Sequence, residues 1–274
     1  METIATQGID IPRLGLGTFG MTGAEAQAAV ENAASLGYRH FDTATMYENE
    51  DAVGAGIAAT GLPREDVFIT TKVWHTHLAP NLMQGVFEQS LEKLGTDYVD
   101  LYMVHWPTPD MDLAATLEAI IRLKERGLIR AMGVCNFPLA LMRKAMDEIG
   151  APLAALQVEY HPFLSQATLL DYVQKKGMAM TAYCPVAKGT SSEDATLVAI
   201  GQKHGVGGAQ IALAWLLDQK GVVAIPKAAS PKNQQANFSA LNVRLDDEDR
   251  AAIGALPKNK RLVNPAFAPV WDTE

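Results

Sequence analysis

The sequence is poor in the features that mark secreted and membrane proteins. Its 274 residues include only two cysteines, Cys135 and Cys184, which is too few for the disulfide framework of a small secreted domain. The longest apolar run, Ile211 to Leu217, is much shorter than a membrane span. The amino terminus has no basic segment followed by an apolar one, as a secretory signal would have. We therefore expect a cytoplasmic protein with no membrane partner.

Basic residues are also fewer than acidic ones. Lys and Arg total 23 against 31 Asp and Glu, which gives a net charge of −8. A chain with this charge is repelled by a phosphate backbone, so a nucleic-acid partner is not expected. No stretch rich in Pro, Gly and Ser divides the chain, and 48% of its residues are hydrophobic. We expect one globular domain over residues 1–274, acting as a monomer.

Short apolar runs alternate along the chain with longer amphipathic stretches. The stretches have helical spacing of apolar residues, as in residues 82–94, and glycines such as Gly95 and Gly127 follow them as stop signals. The runs that read as strands are 14–17, 38–43, 67–73, 99–105, 129–135, 154–160, 178–184 and 222–227. Eight repeats of strand and helix predict an α/β fold, the (β/α)8 TIM barrel.

A doubly wound sheet is the alternative that this alternation leaves open. Such a sheet commonly binds a dinucleotide through a G-x-G-x-x-G turn that leads directly into a helix. Here Gly15, Gly17 and Gly20 supply glycines in the segment GLGTFG, but no helix start follows at once. The sequence therefore favours the barrel.

Four kinds of ionisable side chain stand at the ends of three successive predicted strands. Asp42 and Tyr47 follow the second strand, Lys72 ends the third and His105 ends the fourth. Each has an ordinary structural explanation when taken alone, such as a helix cap or a buried histidine with satisfied hydrogen bonds. In a barrel, however, the carboxyl ends of the strands share one rim, where the chemistry takes place. We therefore expect these four side chains to meet.

The chemistry open to this quartet is the reduction of a carbonyl group by an external hydride donor. A lysine near the core needs an anion, which Asp42 can provide, and its ammonium lowers the pKa of a neighbouring tyrosine. Tyr47 would then give a proton to the substrate oxygen, which His105 would orient. His75 and His77 lack a third partner, so no metal site is predicted.

Several motifs in order along nearly the whole chain resemble the aldo-keto reductase superfamily. They are GYRHFDTATMYENEDAVGAGI, FITTKVW, DLYMVHWP, GVCNF, QVEYHP, AYCPVAKG and IPKAASPKNQQAN. The resemblance implies that Asp42, Tyr47, Lys72 and His105 form a catalytic tetrad. The short segment after Gly189 and the ending RLVNPAFAPVWD are most like bacterial members that reduce 2,5-diketo-D-gluconate, methylglyoxal and related small carbonyl compounds.

The same resemblance implies a nicotinamide cofactor lying across the barrel rim. Asn136 and Gln157 match positions that bind the carboxamide, Tyr183 matches the aromatic that stacks on the nicotinamide, and Cys135 replaces a usual serine. The CPVAKG segment, including Lys188, would contact the pyrophosphate. The full set implied for the cofactor is Thr18, Asp42, Cys135, Asn136, Gln157, Tyr183, Cys184, Val186, Lys188, Lys227, Ala228, Ser230, Asn233 and Asn237.

The residues around the IPK motif bear on which cofactor is used. Family members that prefer NADPH usually combine the lysine of this motif with a hydroxyl residue and an arginine. This chain has Lys227 and Ser230, but Asn233 stands at the arginine position. Asparagine offers a neutral amide instead of a bidentate cationic fork. We therefore expect NADPH to be preferred by a reduced margin, with some use of NADH.

The substrate pocket implied by the resemblance has aromatic walls. Phe19, Trp74 and Trp106 would form them together with His105, and the carboxyl-terminal loop around Trp271 would fold over as a substrate loop. Aromatic walls bind the apolar face of a substrate and exclude water.

Two other functions remain open from the sequence. A barrel lyase could use Lys72 to form a Schiff base with a carbonyl substrate, but the motifs from 133 to 237 would then have no role. A noncatalytic nucleotide-binding or regulatory barrel is the other alternative, and the complete tetrad argues against it.

Overall fold

Ten strands are present in the structure, a computed structural model that describes residues 2–272. Strands β1 (Thr3–Thr6) and β2 (Ile9–Pro12) pair as an antiparallel hairpin. The other eight are parallel and lie in chain order. They are β3 (Leu16–Gly17), β4 (His40–Asp42), β5 (Phe68–Val73), β6 (Val99–Val104), β7 (Ile129–Cys135), β8 (Leu153–Glu159), β9 (Ala179–Tyr183) and β10 (Val222–Ala224).

The eight parallel strands close on themselves. Leu14 bridges Ala224, and Gly17 bridges Lys227, both in parallel, so the last strand meets the first. The backbone N–H of Gly15 donates to the Ala224 carbonyl at 2.9 Å across this seam. Strands β5, β6 and β8 are buried along their whole length, which explains their continuous apolar runs. The predicted (β/α)8 TIM barrel, a single-domain α/β fold, is confirmed.

Helices cover the outside of the barrel. Those in the described part of the chain are α1 (Gly23–Leu36), α2 (Glu50–Ala59), α3 (Pro80–Leu94), α4 (Leu113–Glu125), α5 (Leu139–Arg143), α6 (Ala167–Lys175), α7 (Thr190–Glu193), α8 (Ala195–His204), α9 (Gly208–Asp218), α10 (Pro231–Ser239) and α11 (Asp247–Gly254). Helix α3 buries Met83, Phe87 and Leu94, and Gly95 ends it with a φ of 62° that favours glycine. Of the helices in residues 2–272, none is long and apolar enough to cross a bilayer.

The amino-terminal hairpin was not predicted from the sequence. Ile9 and Ile11 pack into the apolar cluster inside the barrel with Leu101, Met103 and Val223. The Thr6 hydroxyl donates to the carbonyl of Ala154, at the amino end of β8, at 3.1 Å. The hairpin therefore closes the amino end of the barrel and leaves the carboxyl end as the open rim.

Candidate active site

A cavity of about 890 Å³ opens at the carboxyl ends of the strands. This volume is within the usual range for sites that bind small molecules and cofactors. Its walls come from the ends of most barrel strands and from the chain after α11. The lining residues are Gly17, Thr18, Phe19, Gly20, Asp42, Met46, Tyr47, Trp74, His105, Trp106, Asn136, Gln157, Tyr183, Cys184, Pro185, Val186, Lys188, Gly189, Ile225, Lys227, Leu262, Val263, Asn264, Pro265 and Phe267.

A buried ion pair lies at the floor of this cavity. Lys72, from β5, is fully buried, and its Nζ donates to Oδ1 of Asp42 at 2.5 Å and to the Thr43 carbonyl at 2.8 Å. Burial by itself lowers the pKa of Lys72, but Asp42 and Tyr47 oppose it and leave the pKa above its ordinary value. Lys72 is therefore a charged ammonium at neutral pH.

Tyr47 lies above the ion pair at the end of a 3-10 turn, Thr45–Tyr47. The Nζ of Lys72 is 5.2 Å from the centroid of its ring, and the rings of Phe19 and His105 pack edge-on at 5.1 and 5.5 Å. Burial raises the pKa of Tyr47 to about 12, and Lys72 only partly opposes this. The prediction that Lys72 lowers this pKa is right for the effect of Lys72 but not for the net shift. Tyr47 is a phenol, able to donate a proton, at neutral pH.

His105 follows β6 directly and is 6% exposed. Burial, followed by the charges of Lys72 and His75, holds the pKa of His105 well below its ordinary value. Its Nδ1 is buried without a hydrogen-bond partner among the described residues. A neutral imidazole carries one N–H donor, so His105 can hydrogen-bond a ligand oxygen without adding charge.

Two amide side chains stand beside the ion pair. Gln157 donates to Oδ2 of Asp42 at 2.8 Å, which leaves its carbonyl oxygen and second N–H for a ligand. Asn136 has a φ of 62°, donates to the His105 carbonyl at 3.0 Å and accepts from the Tyr183 hydroxyl at 2.8 Å. Each amide keeps a second N–H, and the Gln157 oxygen is open as an acceptor, a set that fits a nicotinamide carboxamide with the flat Tyr183 ring nearby.

The other predicted cofactor residues of β3, β7 and β9 divide into two groups. Thr18, Cys184, Val186 and Lys188 line the cavity. Cys135 does not, because it shares the inward-facing register of Ala131 on β7, and its thiol lies 3.9 Å from Sδ of Met103. The Cys135 side chain therefore lies in the barrel core, beneath the cavity, and its contact with a carboxamide stays a prediction.

The residues after β10 lie at the edge of the cavity. Lys227 lines it and is exposed. Ala228, Ser230, Asn233 and Asn237 lie outside the lining set, in and before helix α10. The Ser230 hydroxyl caps α10 by accepting from the Asn233 N–H at 3.3 Å, and the side chains of both residues face solvent. The exposed positions leave these two side chains free to meet a ligand that extends past Lys227.

Aromatic side chains line one side of the cavity. Phe19, Trp74 and Trp106 line the cavity, but Trp271 does not. Phe267 lines it instead, with its ring 5.7 Å from Trp74 and 5.6 Å from Trp106. Trp271 packs against Trp106 at 5.9 Å from outside the cavity, held by its N–H bond to Asn264. Phe267 is therefore the aromatic of this segment that lines the cavity, and a contact of Trp271 with substrate stays a prediction.

The segment that carries Phe267 is fixed to the barrel by a buried carboxylate. Glu159, at the end of β8, accepts from the backbone N–H groups of Leu262 and Val263 at 2.6 and 2.8 Å. His161 also meets this carboxylate at 3.0 Å. Sequence reasoning missed Glu159 and Phe267. The signal that was available for Glu159 is an acidic residue at the end of a strand whose only other polar residue is Gln157.

Comparisons with known proteins agree with this geometry. Residues 13–257 match the model of the aldo/keto reductase family. Methylglyoxal reductase DkgB of Escherichia coli O157:H7 is 39% identical over 266 residues, which cover 96% of this chain and 99% of that protein. Glyoxal reductase of Bacillus subtilis strain 168 is 38% identical, covering 93% of this chain and 92% of that protein.

A solved structure extends the similarity to the backbone. The crystal structure of a provisionally named 2,5-diketo-D-gluconic acid reductase B has a TM-score of 0.97 and 40% identity, and the match covers 100% of this chain and 98% of that one. The similarity therefore includes the hairpin, the barrel and the carboxyl-terminal segment. With the family match spanning almost all of the barrel, the chain belongs to the aldo/keto reductase family and is an oxidoreductase.

Proposed function

We propose that this enzyme reduces small aldehydes and ketones with NADPH, using Tyr47 as the proton donor. The observation that carries the proposal is the buried Lys72–Asp42 ion pair directly below Tyr47, at the floor of a cavity large enough for a cofactor and a small substrate. Burying an ion pair costs several kcal/mol in desolvation, so its place under a cavity points to function.

A nicotinamide dinucleotide held in this cavity would supply the hydride that reduces the carbonyl carbon. Tyr47 donates its phenolic proton to the carbonyl oxygen, where negative charge develops. The ammonium of Lys72 stabilises the phenolate that remains, and Asp42 holds that ammonium in place. The phenol is the reactive form, and burial keeps it protonated at neutral pH.

His105 orients the substrate. Its neutral imidazole donates a hydrogen bond to the carbonyl oxygen and so aligns the oxygen with the Tyr47 hydroxyl. The rings of Trp74, Trp106 and Phe267 contact the apolar face of the substrate and keep water away from the reacting atoms.

Cofactor binding follows from the residues at the other side of the cavity. Asn136 and Gln157 would hold the carboxamide, Tyr183 would stack on the nicotinamide, and the backbone from Cys184 to Lys188 would meet the pyrophosphate. Lys227 and Ser230 would favour the 2′-phosphate of NADPH. Asn233 cannot offer a bidentate cation there, so measurable use of NADH is part of the proposal.

We take small dicarbonyl compounds and keto sugars as the substrates, namely methylglyoxal and 2,5-diketo-D-gluconate. The support is the similarity to proteins named for the reduction of methylglyoxal, glyoxal and 2,5-diketo-D-gluconic acid. The carboxyl-terminal segment 262–267 serves as the substrate loop. The cytoplasmic location and the monomeric state remain predictions from the sequence.

The two alternatives fit the geometry less well. A Schiff base needs a neutral lysine amine, whereas Lys72 is a charged ammonium enclosed by Asp42 and Thr43 and is not among the lining residues. Borohydride trapping of a carbonyl substrate would test the lyase. A noncatalytic barrel would have no need for the complete tetrad, and turnover of any small aldehyde would exclude it.

Steady-state rates on a panel of carbonyl compounds test the proposal. The panel contains methylglyoxal, 2,5-diketo-D-gluconate, a β-keto ester and an aromatic aldehyde, each with NADPH and with NADH. We expect cofactor oxidation with the small dicarbonyls and a moderate preference for NADPH. Absence of oxidation with every compound would overturn the proposed activity.

A further inference from the structure

The residues after Tyr47 start helix α2 in an unusual way. Asn49 is at the N-cap position of α2, where asparagine usually accepts a backbone N–H bond, but its side chain makes no cap. Glu50 is the first residue of α2 and is only 1% exposed. Glu48 has a φ of 53°, in the left-handed region that disfavours side chains. The missing cap and the buried carboxyl indicate that the side chains of Asn49 and Glu50 are required elsewhere.

Asn49 is bonded to the strand that carries Asp42. Its Oδ1 accepts from the Thr43 hydroxyl at 2.6 Å, and Thr43 directly follows Asp42. Its Nδ2 donates to the carbonyls of Thr18 and Met21 at 3.0 and 2.8 Å. Asn49 therefore fixes the chain just after Tyr47 to β4 and to the loop after β3.

Glu50 is bonded to the strand that carries Lys72. Its Oε1 accepts from the Thr71 hydroxyl at 2.6 Å, and its Oε2 accepts from the Ser90 hydroxyl at 3.2 Å. Burial raises the pKa of this carboxyl above its ordinary value, so the position is costly for a charged group. The two consecutive residues thus reach the neighbours of both members of the ion pair.

We propose that Asn49 and Glu50 are positioning residues that set Tyr47 in register with the Lys72–Asp42 pair by bonding Thr43 and Thr71. The inference rests on the proposed reduction by Tyr47, because the quantity it governs is the rate of proton transfer. Thr45 adds a third bond of the same kind, from its hydroxyl to the Lys72 carbonyl at 3.0 Å. A displacement of about 1 Å at a reacting group costs on the order of 10²-fold in rate.

The test uses Thr43→Val and Thr71→Val, which keep the side-chain shape and remove only the hydroxyl. Thr116→Val is the matched control, because Thr116 is equally buried and donates to the Leu78 carbonyl, away from the tetrad. We expect kcat for methylglyoxal to fall about 10- to 100-fold in the first two variants and to stay within about twofold of wild type in the control. KM, the Kd for NADPH and the melting temperature should match the control. The solvent deuterium isotope effect on kcat should rise only in the first two variants.

Two variants at position 50 separate positioning from charge. Glu50→Gln keeps an acceptor for the Thr71 hydroxyl and should retain the wild-type kcat. In Glu50→Leu, kcat should fall by the same factor as in Thr71→Val. Equal kcat in Thr71→Val and Thr116→Val, or a loss in Glu50→Gln equal to that in Glu50→Leu, would overturn the inference. These outcomes are distinct from failure of the proposed function, which would show as no reduction by wild type or full activity in Tyr47→Phe.

Discussion

Tyr47 is the residue on which the proposed chemistry depends most. Tyr47→Phe removes the proton donor and keeps the ring that packs against Phe19 and His105. General acid catalysis contributes roughly 10²–10⁴-fold, so we expect a rate loss in that range with the Kd for NADPH unchanged. Steady-state kinetics and fluorescence titration check both parts. A rate loss below about tenfold would remove Tyr47 from the role of general acid.

The pH dependence of reduction follows from the two shifted groups in the cavity. Protonated Tyr47 and neutral His105 are the reactive forms. Burial raises the pKa of Tyr47 to about 12, so its proton is lost only as the pH approaches that value. The pKa of His105 is held well below 6.5, so no loss of rate should accompany a fall in pH through 6.5. We expect kcat to stay level as the pH falls from neutrality through 6.5, and a decline centred near 6.5 would show that His105 titrates normally.

We expect one exposed position, Asn233, to influence the choice between NADPH and NADH. Asn233→Arg places a guanidinium beside Ser230, at the start of α10. A hydrogen bond to a charged group is worth about 1.5–3 kcal/mol, so NADPH binding should tighten by this amount while NADH binding is almost unchanged. Titration of the variant with both cofactors measures the difference. Equal changes for NADPH and NADH would show that position 233 does not face the 2′-phosphate.

At the scale of elements, we expect the carboxyl-terminal segment, whose residues 262–265 and 267 line the cavity, to determine how the substrate is covered. Phe267 lines the cavity between Trp74 and Trp106, whereas Trp271 lies behind Trp106. Phe267→Ala should raise KM for methylglyoxal about tenfold, equivalent to roughly 1.4 kcal/mol, and leave the Kd for NADPH unchanged. Trp271→Ala is the matched control and should have a smaller effect on KM. A larger rise in KM for Trp271→Ala than for Phe267→Ala would show instead that Trp271 covers the substrate.

The regular elements of this fold were predictable, and the irregular ones were not. The eight predicted strands match β3 to β10 within a few residues, because parallel strands covered on both faces leave apolar runs in the sequence. The hairpin β1–β2 was missed because its segment is short and half exposed. The tetrad positions could be read from the strand ends. The position of Phe267 in the cavity could not be predicted. Its segment has no helix or strand, so no periodic pattern indicates which aromatic side chain faces inward.

At the scale of the whole molecule, the barrel places its inner apolar core and its candidate active site at different ends. The hairpin and the inward-facing apolar residues fill the amino end and the centre, and every tetrad residue lies at the opposite rim. Asp42, Lys72 and His105 come from three consecutive strands that share a register, with Asp42 paired to Thr70 and Val73 paired to Val104. Parallel pairing of these neighbouring strands therefore brings the ionisable residues together without long loops.

The measurement that tests the central claim most directly is a single turnover with NADPH deuterated at the transferring position of the nicotinamide. The wild-type protein is mixed with this cofactor and methylglyoxal in ordinary water, and the product is examined by mass spectrometry. The proposed reaction predicts one deuterium on the former carbonyl carbon and an exchangeable proton on its oxygen. A reduced product without deuterium, or no reduced product while NADPH is bound, would contradict the assignment of this cavity as the site of carbonyl reduction.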